Sequence, residues 1–242
     1  MSKFDSKKAL IVGATGGMGA AIAYMLSKNG AHCALVGRNE EKLEDIFSLC
    51  SPFGLPCFKV SCDISDVLAI EECSKEAIGS LNGLNFLIHC AGDYNKAAAD
   101  ECNLQIWDKI LDINLRSTYH FARHTLPEIN KSPGGALIRI NSRDAPNSGI
   151  GIQTIQKRGI DGYMEVLFED VREYGTKVCT INPGFVNTPM VNPERLNSEL
   201  MMQPSDIAAA VYFILSTSET ACPTEIVMQP QRSPWRTVGM HL

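Results

Sequence analysis

Gly13, Gly17 and Gly19 stand in a G-x-x-x-G-x-G spacing directly behind the apolar run 9–12. A glycine turn between a buried strand and a helix presents free backbone N–H groups, and with no Cβ in the way the backbone can approach a pyrophosphate. The stretch 18–29 has helical spacing and Gly30 offers a stop, so the local reading is strand, turn, helix. Such a turn can also merely join two core elements, but this context favours nucleotide binding. Further along, the apolar runs end in Gly37-Arg38, Asp63, Ala91-Gly92, Asn141-Ser142 and Asn182-Pro183-Gly184. Ligands of open α/β sheets bind outside the carboxyl ends of the strands, so these residues should line one crevice.

The elements that must position them alternate. Strands are expected at 32–36, 58–62, 84–89, 136–140, 177–181 and 225–228, and helices at 39–49, 67–80, 101–126, 155–174 and 205–215. Pro127 should close the long helix 101–126, and Pro183-Gly184 should stop the sixth strand. This rhythm implies an α/β fold, a Rossmann-like doubly wound parallel sheet of about seven strands in three layers, spanning 1–242 as one domain. The segment 187–203 carries Pro189 and Pro193 with little periodicity, and suits either a substrate lid or a plain surface loop. The tail 229–242 reads as a loop or an interface arm.

With 242 residues and 45% hydrophobic content the chain can build a large core. A net charge of -5 without any basic run argues against a nucleic-acid partner. The nine cysteines are scattered through apolar runs, without C-x-x-C pairs, and read as reduced core thiols of a cytoplasmic protein. The uncharged stretch 9–26 after Lys7-Lys8 superficially suggests a membrane span. Four glycines within 13–19 make it a poor helix, so no membrane partner is expected.

Over nearly its whole length the sequence resembles the short-chain dehydrogenase/reductase family. Val12-Gly-Ala-Thr-Gly-Gly-Met-Gly19 is similar to the family's T-G-x-x-x-G-x-G, and His89-Cys-Ala-Gly92 to its N-N-A-G. Asn182-Pro-Gly-Phe-Val-Asn-Thr-Pro189 is similar to its P-G-x-x-x-T segment. The resemblance implies cofactor contacts from Gly13, Thr15, Gly17, Met18, Gly19, Asp63, Ile64, Ala91, Gly92, Pro183, Gly184 and Val186. It gives Thr188 the nicotinamide amide and Asp63 the adenine. It also implies that Asn114 holds a water in the proton path and that Ser142 hydrogen-bonds a substrate carbonyl. A small-molecule carbonyl or alcohol substrate and a homodimer or homotetramer follow by the same analogy.

The catalytic pair departs from the pattern. The family's Y-x-x-x-K places its lysine at Lys157, which also binds cofactor, and its tyrosine at Gln153; Gln156 replaces the serine common before the lysine. A phenol beside an ammonium donates and accepts protons near working pH, whereas an amide cannot ionise usefully. General acid–base catalysis is commonly a ~10²–10⁴-fold effect, so its loss should leave a slow enzyme, a non-redox enzyme or a silent nucleotide binder. Ser142, Asn114, Lys157 and Gln153 remain as the catalytic candidates, able to polarise a carbonyl. Tyr94, just past the N-A-G-like turn, reads as a surface loop residue, with the alternative that its phenol reaches the pocket.

Cofactor choice falls to the end of the second strand, where NAD-binding sheets usually hold a carboxylate for the ribose hydroxyls. Arg38 stands there instead and can grip a 2′-phosphate, so NADP(H) is expected over NAD(H). No metal is expected: His120 and His124 have ligand spacing but no third ligand, and read as a packed helix face. Arg143-Asp144, directly after Ser142, read as a mutual ion pair or, alternatively, as a contact to a charged substrate.

Overall fold

A computed structural model describes residues 2–98, 100–142, 151–191 and 194–235. Arg143 and Asp144 lie outside the described residues, as do the end of the tail and part of the segment 187–203. The strands are β1 (Lys8–Val12), β2 (His32–Gly37), β3 (Cys57–Ser61), β4 (Phe86–His89), β5 (Ala136–Ile140), β6 (Lys177–Pro183) and β7 (Glu225–Met228). The helices are α1 (Gly17–Lys28), α2 (Glu40–Cys50), α3 (Val67–Leu81), α4 (Leu104–Leu111), α5 (Ser117–Ile129), α6 (Gly151–Val171) and α7 (Pro204–Ser216).

All seven strands form one parallel sheet in the order β3-β2-β1-β4-β5-β6-β7. Successive strand residues face opposite layers. Ala9 and Ile11 join the core under α1, α2 and α7. Leu10 and Val12 join the core under α3, α5 and α6. Burial on both faces explains why the strands read as unbroken apolar runs rather than alternating ones. The doubly wound, three-layer architecture is the one expected.

The long helix differs from its expectation. It begins at Leu104, where the Asn103 side chain accepts from the backbone N–H of Gln105 and Ile106. A π turn, Asp112–Arg116, then interrupts it with Asn114 at its centre. Pro127 lies inside the last turn of α5, which runs on to Ile129. Its missing N–H withdraws one intrahelical donor, and the helix ends two residues later. Pro183 likewise ends β6 from within rather than stopping it at residue 181.

Candidate active site

The strand order reverses between β1 and β4, which are neighbours in the sheet although three strands apart in the chain. A crevice opens at such a point. Gly13 leaves β1 at φ +82°, and a Cβ there would lie 2.7 Å from the backbone nitrogen of Ala91, at the end of β4. Only glycine fits both the conformation and the approach. The turn closes when Gly16 N–H donates to Gly13 O at 3.1 Å. Gly16 then N-caps α1 with no side-chain cap, and the first turn carries no acid. Backbone donors and the positive end of the helix dipole therefore face the crevice, an arrangement that fits a phosphate.

Two adjoining cavities occupy the crevice. The larger, about 470 Å³, is lined by Gly13, Thr15, Gly17, Met18, Gly19, Arg38, Ile64, Ala91, Gly92 and Thr188. Lys42 lines it as well and was not singled out from the sequence. It sits one turn into α2, its backbone N–H accepted by the N-cap Asn39 at 2.8 Å. A second cation four residues beyond Arg38 was the available signal. Asp63 is not in this wall. Its carboxylate accepts from the backbone and hydroxyl of Ser65 at 3.0 and 2.8 Å. These two bonds hold it below the usual carboxylate range, with smaller help from the charges of Arg38 and Lys109.

The smaller cavity, about 190 Å³, gathers Asn114, Ser142, Gln153 and Lys157 with Pro183, Gly184, Val186 and Thr188. Met18, Ala91, Gly92 and Thr188 line both spaces, so the two adjoin. Tyr94 borders the smaller cavity but is 49% exposed. The described part of the segment 187–203 brings Met190 and Val191 to the same wall. The Asn187 N–H donates to the Met202 carbonyl at 2.8 Å, tying its two ends together, and the Asn197 N–H donates to the Pro234 carbonyl at 2.8 Å.

Gln153 and Gln156 share the inner face of α6, 1% and 3% exposed. With Asn114 they form a one-way chain of amides. Asn114 Nδ2 donates to Gln156 Oε1, Gln156 Nε2 donates to Gln153 Oε1, and Gln153 Nε2 donates to the carbonyl of Asn95 at 3.0 Å. At the other end Asn114 Oδ1 accepts from Asp93 N–H at 2.7 Å. Every link is an amide, so the chain has no member that gives up a proton near neutral pH.

Below it lies a group the sequence reading passed over. Arg139 is 2% exposed in the middle of β5, and no carboxylate pairs with it among the described residues. Its Nη1 donates to the carbonyls of His89 and Ile140 at 2.9 and 2.6 Å, and its Nη2 to that of Asn114 at 3.2 Å. Nε is buried without a partner. Burial lowers this guanidinium to about 10, and pushes the neighbouring Cys90 thiol up to about 12. Thr118 Oγ1 also donates to the Asn114 carbonyl, at 2.8 Å. That carbonyl is therefore engaged by two side chains. A lone cation inside the apolar run 136–140 was the visible anomaly.

His120 and His124 stack, with ring centroids 6.3 Å apart. No cluster of three metal-ligating side chains occurs among the described residues. No helix among them is long and apolar enough to cross a membrane.

Known proteins match this frame along most of its length. An uncharacterized oxidoreductase of Staphylococcus epidermidis is 29% identical over 232 residues, covering 95% of this chain and all of the relative. A short chain dehydrogenase from Burkholderia cenocepacia, solved in complex with NADP, superposes with a TM-score of 0.88 at 21% identity, over 94% of this chain and 98% of that one. A dehydrogenase/reductase from Sinorhizobium meliloti gives a TM-score of 0.86 at 25% identity, over 93% and 94%. Residues 7–199 match the family model described as short chain dehydrogenase, and the chain belongs to that family.

Proposed function

We propose that this protein is an NADP(H)-dependent oxidoreductase acting slowly on a carbonyl or alcohol substrate, with no phenol as its acid–base group. The observation that carries the reading is the pair of adjoining cavities extending from the uncapped start of α1 to Ser142 and Lys157. Relatives named as oxidoreductases and a structural neighbour holding NADP support it. At the far end of the larger cavity Arg38 and Lys42 are exposed cations suited to a 2′-phosphate, and among the described residues the only lining acid is Asp93, next to the smaller cavity. Thr188, Pro183, Gly184 and Val186 would flank the nicotinamide, which supplies or accepts hydride when bound.

The chain's own residues then have divided tasks. Ser142 and Lys157 polarise the substrate oxygen by hydrogen bonding and charge. Gln153 fills the tyrosine's place and, through Gln156, holds Asn114 fixed, but neither amide transfers a proton. Proton delivery is therefore the slow step.

The test is reduction of a panel of aldehydes and ketones by NADPH in the wild type and in Gln153→Tyr. The variant should raise turnover about 10–100-fold, less than a full acid–base effect because Gln156 and Asn114 are arranged around an amide. Its NADPH affinity should not change. A second reading, a nucleotide-binding protein without redox turnover, draws on the amide chain and the occupied Asn114 carbonyl. Tight NADPH binding with no turnover in either protein would select it.

A further inference from the structure

The cavity wall contains a thiol pair that the proposed chemistry does not use. Cys62 follows β3 directly and lines the larger cavity between Gly37 and Ile64. It is 4% exposed. Its Sγ lies 3.5 Å from the carbonyl of Ala69, in the first turn of α3. Cys73 is one turn further along the same helix, buried in the same core cluster. The two thiols stand within hydrogen-bonding reach of each other, and this contact lowers the Cys62 thiol. A thiol that lies beside a second thiol and borders a cavity is placed for site-selective oxidation.

We infer that Cys62 and Cys73 form a peroxide-oxidisable dithiol in the wall of the nucleotide cavity. The Cys62 thiolate attacks one oxygen of hydrogen peroxide, the O–O bond breaks, and the other oxygen leaves as water after protonation. Cys73 sulfur then attacks the Cys62 sulfenic acid, the S–S bond forms, and the hydroxyl leaves as a second water. The two sulfurs lose two electrons and peroxide gains them. Cys62 provides the entry because it borders the cavity, whereas Cys73 lies behind it. Anything filling the cavity shields the pair, so NADPH should protect it. That protection, unlike the dithiol itself, rests on the proposed nucleotide site.

The other close thiols are an internal control. Cys50 and Cys57 also contact one another, but in the opposite core layer beside Cys33, away from either cavity of the site. The full-length protein is treated with hydrogen peroxide, free thiols are alkylated, and peptides are mapped by mass. A Cys62–Cys73 disulfide reversed by dithiothreitol is expected. Its formation should slow about tenfold at an NADPH concentration of about ten times Kd. In Cys73→Ser, a dimedone-trapped sulfenic acid at Cys62 should replace the disulfide. Absence of the Cys62–Cys73 link, or faster linkage of Cys50 to Cys57, overturns the proposal. If NADPH binds by an independent titration but gives no protection, entry through the cavity is wrong. If NADPH does not bind at all, the nucleotide reading fails while disulfide formation still decides the dithiol.

Discussion

Gly13 shows how much a single position constrains the site. Its φ of +82° and its 2.7 Å approach to Ala91 N leave no room for a side chain. Gly13→Ala should cost about 2–4 kcal/mol, combining strain with a backbone clash, and should abolish nucleotide binding. At Gly16, φ is −82° and a Cβ would meet only Gly13 O, at 3.5 Å. Gly16→Ala should therefore stay within about 0.5 kcal/mol of the wild type. Denaturant melts of the two variants check the contrast, and equal losses would contradict it. The spacing of these glycines was legible because local backbone geometry demands glycine wherever it occurs. The places of Ser142, Gln153 and Lys157 around one cavity were legible through the family pattern. The amide partners of Gln156 and the role of Arg139 were not, since Asn114 and the carbonyls of His89 and Asn114 are brought to them only by tertiary packing.

The elements carry their own lesson. Apolar runs identified every strand to within two residues, because strands buried on both faces have no competing polar pattern. The helix over 101–126 looked continuous because periodicity does not register one extra residue in a turn. The π turn is what aims Asn114 both at Asp93 and at Gln156. Beside it, β4 ends in His89, fully buried, with Nε2 3.0 Å from Ser117 Oγ and its ring edge-on to Phe121. Burial holds this imidazole well below its ordinary value, and the charge of Arg139 adds to the effect. The folded group is neutral, while in the unfolded chain it takes up a proton near pH ~6.5. Its contribution is therefore whole above about pH 6.5 and is lost as pH falls below it, by up to ~1.4 kcal/mol per pH unit. His89→Asn should cost about 1–2 kcal/mol near neutral pH through lost packing, and should flatten that acid slope. Urea midpoints at about pH 8 and about pH 5.5 measure both; an unchanged slope in the variant would contradict the burial argument.

On the scale of the whole molecule, the parallel sheet places a phosphate-sized turn, two cations and a set of hydrogen-bonding side chains along one crevice, in the order a dinucleotide extends. The sheet was readable from the strand–helix rhythm. Cofactor choice rested on one arginine, to which the folded chain adds Lys42. At the other end, the proposed reductase centre has amides where the family pattern has a phenol. All of it depends on NADP(H) occupying the crevice, and a fluorescence titration of the wild type with NADPH and with NADH tests that most directly. NADPH should bind at least about tenfold more tightly, a difference of about 1.4 kcal/mol. Arg38→Ala should weaken NADPH by about 1.5–3 kcal/mol and leave NADH nearly unchanged. Equal affinities for the two nucleotides, or binding of neither, would contradict the central claim.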